Sequence, residues 1–162
     1  MNRTKKVLAL VAGLGMVALL GTSCATGSAS AAVTHYTPQG RQYSIAAVPL
    51  LVHEQAGMYD YLQKAFAKHG LLDGKEIWGF SQSNLTVYQW DPVDITLLNP
   101  GDDPHTFTIT ELNVNVPMGA QGQASAKFVA TKVGTFKFFC AMPEHMPYMS
   151  GTITVLPDSA VS

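Results

Sequence analysis

The chain is poor in cysteine, in charge and in long apolar runs. Its 162 residues include only two cysteines, Cys24 and Cys140, so a scaffold held together by several disulfides is excluded. Charged residues make up only 13% of the chain, which argues against the basic surface of a nucleic-acid-binding protein. The longest apolar run, residues 7–20, is shorter than the roughly 20 residues of a membrane-spanning helix.

The first 31 residues predict export from the cytoplasm. Three basic residues lie among the first six, and the apolar run and a stretch of small residues follow, as in a secretory signal peptide. Two processing routes remain open. Ala29-Ser30-Ala31 offers a cleavage site, whereas Gly21-Thr22-Ser23-Cys24 is similar to a bacterial lipobox, in which Cys24 carries the lipid anchor. Either route predicts a protein of the periplasm or of the outer face of the membrane.

The remainder of the chain predicts one domain. Without the leader there are seven basic and eleven acidic residues, a net charge of about −4, which again indicates no nucleic-acid partner. Residues 32–42, small and polar, are predicted to form a flexible linker. Residues 43–157 are long and apolar enough to build one core, and residues 158–162 are predicted to be a tail.

The pattern of apolar residues predicts an all-β fold with one helix near its start. Met58, Leu62 and Phe66 recur at helical spacing and Gly70 follows, so a helix is predicted near residues 54–69. The remaining segments are short, rich in β-branched and aromatic residues, and separated by turn residues, which is typical of a β-sandwich or barrel. These predicted strands are 43–52, 76–80, 85–89, 93–99, 105–110, 114–116, 125–130, 135–140 and 152–156.

One segment concentrates metal-binding side chains. Cys140, His145 and Met149 lie within ten residues of one another. Since Cys24 lies in the leader or carries a lipid, Cys140 is alone in an oxidising compartment, where a metal explains an unpaired thiol. Soft sulfur ligands together with imidazole favour copper over magnesium or calcium. A second imidazole must come from elsewhere, and His105, which follows a turn and opens a strand, is the best candidate.

These residues carry a family resemblance. Residues 138–152, with the spacing Cys140-x4-His145-x3-Met149 after two phenylalanines, resemble the copper-binding loop of azurin-type cupredoxins. Pro104-His105 resembles the upstream ligand region of plastocyanin-like members. The resemblance covers about residues 76–156. It implies a Greek-key β-sandwich with a helical insertion. It also implies one type 1 copper ion, cycling between Cu(I) and Cu(II), with His105, Cys140, His145 and Met149 as its ligands.

Three positions depart from that family pattern. Thr106 stands where azurin and plastocyanin often have Asn, so the bond that fixes the thiolate is expected to be altered. Glu144 replaces a Gly that often precedes the loop histidine, and it brings a negative charge near the ion. Met146 competes with Met149 as the axial ligand. Met149 is favoured, because neighbours in a sharp loop rarely both reach one ion.

The resemblance implies an electron carrier and not an enzyme, but a second function stays open. Copper storage or delivery could use the same Cys/His/Met loop. A copper oxidase or nitrite reductase needs further copper centres, and only His35, His53 and His69 are left for them, at scattered positions. The apolar residues around His145 either pack the loop or form a docking collar for transient redox partners; these are Met142, Pro143, Met146, Pro147 and Tyr148.

Overall fold

The computed structural model describes residues 33–146 and 148–161, which form eleven strands and three short helices. The strands are β1 Val33–His35, β2 Arg41–Leu51, β3 Ile77–Phe80, β4 Asn84–Tyr88, β5 Pro92–Asn99, β6 His105–Ile109, β7 Val114–Met118, β8 Gly122–Val129, β9 Gly134–Phe139, β10 Ser150–Leu156 and β11 Ser159–Val161. The helices are α1 Asp60–Phe66 and the 3-10 helices His53–Met58 and Thr110–Leu112.

Two sheets form the body of the fold. One has the strand order β4-β10-β9-β6-β7, and the other has the order β3-β2-β5-β8. Neighbouring strands are antiparallel except for two parallel pairs, β2 with β5 and β4 with β10. The predicted all-β Greek-key sandwich with an N-terminal helical insertion is therefore confirmed.

The core lies between the two sheets because their strands alternate in polarity. In β5, Val93, Ile95 and Leu97 are buried, and Asp94 and Thr96 between them are more exposed. This period of two is what a strand with one buried face requires. Burying each large apolar side chain contributes about 1.5–3 kcal/mol. Phe80, Phe107 and Phe138 pack edge to face or tilted at the centre, with ring centroids 5.1–5.7 Å apart.

The helical insertion is divided instead of forming one helix over residues 54–69. Tyr59 adopts an extended conformation, with φ −141° and ψ 121°, between the 3-10 helix and α1. Gly57, a poor helix former, precedes this break. Met58 is 69% exposed, so it does not share the buried face that its spacing predicts. Leu62 and Phe66 are buried, and with Leu72 they form a small core of their own.

The ends of the described chain pair with each other. β1, within the predicted linker, pairs antiparallel with β11, which falls in the predicted tail. β2 also begins at Arg41, so its first two residues overlap the predicted linker. The small polar residues of these segments show no alternation, so the backbone pairing left no signal in the sequence. The predicted leader, residues 1–31 with Cys24, lies outside the described residues. Among those described, no helix has the length and apolarity to cross a membrane.

A buried carboxylate joins several strands at one end of the sandwich. Asp91 is fully buried, and its oxygens accept hydrogen bonds from the backbone amides of Gln39 and Tyr88 at 2.8 and 2.9 Å. Arg41 donates to it through Nε at 2.8 Å. Burial alone would raise the pKa of Asp91, but these hydrogen bonds lower it. Through these bonds the carboxylate, which directly precedes β5, connects the start of β2 and the residues before it with the end of β4.

Candidate metal centre

Three predicted ligands meet at one end of the sandwich. His105 opens β6, Cys140 directly follows β9, and His145 lies in the loop that joins β9 to β10. All three side chains are buried, and one ligand atom from each lies within 4.8 Å of the others. Strands β6 and β9 are neighbours in the sheet, so the fold brings together residues that are 35 positions apart in sequence.

The distances within this group fit one metal ion. Nδ1 of His105 lies 3.0 Å from Nδ1 of His145, and Sγ of Cys140 lies 3.6 Å from the same His145 atom. Nitrogen and sulfur ligands lie about 2.0–2.3 Å from a metal such as zinc, so two donors on one ion are about 3–4 Å apart. Two imidazoles and a thiolate are also the donor set of blue-copper sites. The group is therefore positioned for a single copper ion.

The loop around His145 is held in shape by its own backbone. The amide of Cys140 donates to the carbonyl of Met149 at 3.0 Å, which closes the loop at its base. The amide of Met149 donates to the carbonyl of His145 at 3.1 Å, and the amide of His145 donates to the carbonyl of Met142 at 3.1 Å. These backbone bonds fix the course of the loop that carries His145 and Met149.

Thr106 links the strand of His105 to this loop. Its backbone amide lies 3.4 Å from Sγ of Cys140. Its hydroxyl accepts a hydrogen bond from the amide of Ala141 at 2.7 Å and lies 3.1 Å from the hydroxyl of Thr108. The side chain that stands in place of the family's Asn thus binds the backbone next to the cysteine. A hydrogen bond to the sulfur comes from the main chain instead.

The two methionines that could supply an axial sulfur differ in burial. Met149 is 1% exposed and belongs to the same core cluster as Cys140, whereas Met146 is 47% exposed. Tyr148 is also exposed, at 53%, and Met142 is partly buried against the core. Met149 therefore shares the buried environment of His105, Cys140 and His145, whereas Met146 faces solvent.

Asn99, which the sequence analysis did not single out, shapes the turn before His105. Its side chain is buried, and its amide nitrogen donates to the carbonyls of Asp103 at 2.7 Å and Gly119 at 3.0 Å. Its side-chain oxygen accepts from the amide of Gly101 at 3.2 Å. An Asn that precedes Pro-Gly-Asp is a recognisable turn signal, so this role could have been predicted.

Trp78, also missed, forms a wall of the site. Its ring centroid lies 4.7 Å from that of His105 and 6.3 Å from that of His145. The side chain is 3% exposed, and its Nε1 donates to Oε2 of Glu76 at 3.1 Å. Trp78 belongs to β3, in the opposite sheet from His105. A contact across the sandwich leaves no spacing signal in the sequence, so it could not have been predicted.

A polar groove of about 350 Å³ lies over the edge of His145. Six of its ten lining residues are charged: Glu54, Lys75, Glu76, Asp102, Asp103 and Glu144; His53 and His145 also line it. Burial and the neighbouring Glu76 raise the pKa of Asp103. Burial opposes the ionisation of Glu76, but hydrogen bonds from His53 and Trp78 lower its pKa. Glu144, predicted to place a charge near the ion, lines this groove. His35, His53 and His69 do not join the ligand group.

The pKa of His105 makes the metal-free protein sensitive to acid. Burial, and then the charge of His145, lower this pKa from 6.5 to about 4. The unfolded chain therefore binds more protons between these pH values, and stability falls as the pH decreases from about 6.5 to about 4. We expect His105 to account for a loss of about 3 kcal/mol, which urea unfolding of the metal-free protein at each pH would measure.

A matched variant isolates this contribution. His105→Gln cannot gain a proton at this position, so its stability should fall by about 3 kcal/mol less than that of the wild type over the same interval. Parallel pH profiles for the two metal-free proteins would contradict the lowered pKa of His105.

Comparison with known proteins agrees with the fold and the site. Residues 73–155, about half of the chain, match the family described as the cupredoxin-like domain. No curated protein sequence matches the chain. The structure of a blue copper oxidase from Nitrosomonas europaea is similar with 17% identity and a TM-score of 0.54, over 76% of this chain and 40% of that one.

Two further solved structures have the same fold. A copper nitrite reductase from Nitrosomonas europaea is 20% identical, with a TM-score of 0.51, over 72% of this chain and 41% of its own. A multi-copper oxidase from Pseudomonas thermotolerans is 15% identical, with a TM-score of 0.54, over 75% of this chain and 31% of its own. The chain thus spans about a third to two fifths of these proteins. It belongs to the cupredoxin-like domain family, and His105, Cys140 and His145 form its group for a single copper ion.

Proposed function

We propose that this protein is an exported electron carrier with one type 1 copper ion. His105, Cys140 and His145 supply the three strong ligands, and Met149 supplies the weak axial sulfur. The observation that carries the proposal is the buried His/Cys/His group, with 3.0 and 3.6 Å between its donor atoms. When bound, copper supplies the one-electron chemistry by alternating between Cu(I) and Cu(II).

The protein's own contribution is a rigid, dry site. The backbone bonds of the loop, and the bond that the Ala141 amide donates to the Thr106 hydroxyl, hold the donors in place. His105, Cys140 and Met149 are each at most 1% exposed, and His145 is 4% exposed. Water is therefore excluded from the donor atoms, and little of the structure has to rearrange when the charge of the site changes. Both properties favour fast electron transfer.

Burial of the ligands also argues against the other two classes of function. A catalytic copper site keeps one position open to substrate, as catalytic zinc sites do. A storage or delivery protein needs ligands that can pass the ion to a partner. Here the ligands offer solvent only the small exposed edge of His145. This arrangement favours an electron carrier over an enzyme and over the copper-storage alternative.

We propose that redox partners dock transiently over His145. Met146 and Tyr148 in the same loop are 47% and 53% exposed, so they present apolar surface beside the most accessible ligand. Weak electron-transfer encounters use interfaces of less than about 1,200 Å², and a patch of this kind is sufficient for one. The export signal predicted for residues 1–31 places this exchange in the periplasm or on the outer face of the membrane.

Voltammetry and copper exchange separate the electron carrier from the storage protein. The copper-loaded protein, adsorbed on an electrode, should give one reversible one-electron wave, and electron exchange with a small redox mediator should be rapid. Cu(I) should leave the protein slowly when a strong chelator is added. Rapid loss of Cu(I) to the chelator without a reversible wave would instead support storage or delivery.

Replacing Met149 tests the proposed axial ligand. Met149→Leu conserves volume in the buried site and so should cost less than about 1.5 kcal/mol of stability. We expect the intense colour of the Cu(II) protein to remain, because the three strong ligands stay, and the reduction potential to shift, because the axial ligand tunes it. The matched control is Met146→Leu, since Met146 is exposed. A shift in potential for Met146→Leu but not for Met149→Leu would reverse the assignment.

A further inference from the structure

The helical insertion contributes no ligand to the copper site but is connected to it. The insertion, residues 53–72, lies outside the strands that carry the ligands and packs around a small core of Leu62, Phe66 and Leu72. Yet its first residue, His53, is connected to the metal site through two side chains. His53 binds Glu76, Glu76 binds Trp78, and Trp78 packs against His105.

The first observation concerns how the ring of His105 is oriented. A metal-binding imidazole usually donates its second ring nitrogen to a hydrogen-bond acceptor, which fixes the plane of the ring. Nδ1 of His105 faces His145. Among the described residues, Nε2 of His105 is the buried side-chain nitrogen or oxygen without a hydrogen-bond partner. No protein group among the described residues orients this ligand through Nε2, so packing against neighbouring side chains takes that role.

The second observation identifies the packing partner. The Trp78 ring lies 4.7 Å from the His105 ring, centroid to centroid, at an interplanar angle of 60°. Tilted contacts of this kind are among the preferred geometries of aromatic pairs. On Gly101 an added Cβ would lie only 2.6 Å from Cη2 of Trp78. The indole is thus confined between the turn before His105 and the ligand ring itself.

The third observation explains what holds the indole in place. Glu76 accepts the Nε1–H of Trp78 through Oε2 at 3.1 Å. Its other oxygen accepts the backbone amide of His53 at 2.7 Å and lies 2.7 Å from Nδ1 of the same residue. The His53 ring in turn packs on Phe66 of α1, at 4.4 Å between centroids. Glu76 therefore anchors Trp78 to the helical insertion.

We propose that Trp78 is the positioning residue for the copper ligand His105, and that the helical insertion fixes Trp78 through Glu76. The proposal rests on the proposed copper site, because it assigns an effect on a ligand of that site. It gives the insertion a function: the insertion holds the indole that sets the plane of an imidazole lacking its own hydrogen bond. Disturbing any of these contacts should change copper binding without touching a ligand.

The sharpest test changes the space available to the indole. Gly101→Ala adds a methyl group against Trp78, whereas Gly119→Ala adds one in a nearby turn where nothing lies within 4 Å of it. We expect Gly101→Ala to raise the dissociation constant for Cu(II) about 10-fold, as loss of an outer-shell contact does, and to change the copper hyperfine splitting. Gly119→Ala should bind Cu(II) like the wild type.

Two further variants change the hydrogen bond between Glu76 and Trp78. Glu76→Gln keeps the shape of the side chain, but its amide cannot accept hydrogen bonds at both ends, so we expect a similar 10-fold loss. Trp78→Phe removes the Nε1–H and part of the ring, and should have the larger effect. If Trp78→Phe fails to fold, Gly101→Ala and Glu76→Gln decide the matter. Wild-type dissociation constants and hyperfine splittings in these two folded variants would overturn the proposal.

A measurement on the metal-free protein keeps this inference separate from the proposed function. The carbon-bound ring protons of His105 should show the ring-current shift of a neighbouring indole by NMR. Gly101→Ala and Glu76→Gln should change that shift, and Gly119→Ala should not. A wild-type protein without the intense copper colour would refute the proposed function, and these shifts would still decide the orientation of His105. Unchanged shifts in both variants would refute the positioning role alone.

Discussion

Cys140→Ser should abolish the intense visible colour of the Cu(II) protein. That absorption arises from charge transfer between a cysteine thiolate and copper, and Cys140 is the free thiol of the described chain, buried 3.6 Å from Nδ1 of His145. A serine hydroxyl stays protonated at neutral pH and is a hard ligand, whereas soft thiolates select Cu(I). Copper affinity should therefore fall by more than the about 10- to 100-fold that loss of an outer-shell partner costs.

The spectrum of Cys140→Ser must be compared with a variant in the same loop. Met146→Leu changes an exposed side chain next to His145 and should keep both the colour and the affinity. Circular dichroism of both metal-free proteins would check that the sandwich is folded. An intensely coloured Cys140→Ser protein would remove the thiolate from the ligand set and with it the type 1 assignment.

Asp91→Ala should be the most destabilising of the substitutions considered, at about 3 kcal/mol, because one buried carboxylate loses three hydrogen-bond donors together. The change removes a fully buried carboxylate that accepts hydrogen bonds from Arg41 and from the amides of Gln39 and Tyr88. The alanine leaves three donors without their acceptor, and each hydrogen bond to a charged group contributes about 1.5–3 kcal/mol, less here for Arg41 because its side chain is 31% exposed. Urea unfolding of the metal-free protein would measure the loss.

A second aspartate, Asp94 in the strand that follows Asp91, provides the control. Asp94 pairs with Lys127 at 3.0 Å, but these side chains are 39% and 71% exposed. Asp94→Ala should therefore cost no more than about 1 kcal/mol. Equal losses for the two variants would contradict the structural role assigned to Asp91.

Asp91→Ala should also leave the copper spectrum unchanged. Tyr88, which binds Asp91, pairs with Leu156 at the end of β10, whereas Ser150 begins that strand beside the metal loop. Six residues of strand separate the two ends by about 20 Å. The variant should therefore lower the free energy of unfolding without changing the geometry of the copper site. A changed copper spectrum in a folded Asp91→Ala protein would mean that the two ends of the sandwich are coupled.

The sequence was informative wherever a local pattern decided the structure. Alternating apolar residues located most strands, because a strand with one buried face needs a period of two. The spacing of Cys140, His145 and Met149 located the loop, because one short connection between paired strands must supply all three side chains. The turn before His105 indicated a strand that could face this loop. In the structure His105, Cys140 and His145 meet as that reasoning expected, and Met149 is buried with Cys140.

Contacts between distant segments explain what the sequence did not show. The pairing of β1 with β11 joins residues at opposite ends of the described chain and has no local pattern. Trp78 contacts His105 from the opposite sheet. The sequence predicted a strand at residues 76–80 but gave no sign of this contact. The spacing of Leu62 and Phe66 predicted one helix near residues 54–69. In the structure, the extended Tyr59 divides this segment into a 3-10 helix and α1. In each case, tertiary packing overrode or added to the local preference.

Thr106 shows how a family pattern and a structure can differ in detail. The resemblance predicted an altered bond to the thiolate, because Asn is replaced. In the structure the Thr106 amide approaches Sγ of Cys140 at 3.4 Å, and the hydroxyl binds the amide of Ala141. The residue thus connects the two ligand-bearing segments through its backbone amide and its hydroxyl. Only the three-dimensional arrangement could reveal these two contacts.

The visible and EPR spectra after adding one equivalent of Cu(II) to the purified mature protein test the central claim most directly. With Cys140 bound to copper we expect an intense thiolate-to-copper band, a narrow copper hyperfine splitting, and loss of the colour when a mild reductant is added. A pale protein with the spectrum of an ordinary cupric complex would contradict the claim, because Cys140 would then not bind the ion.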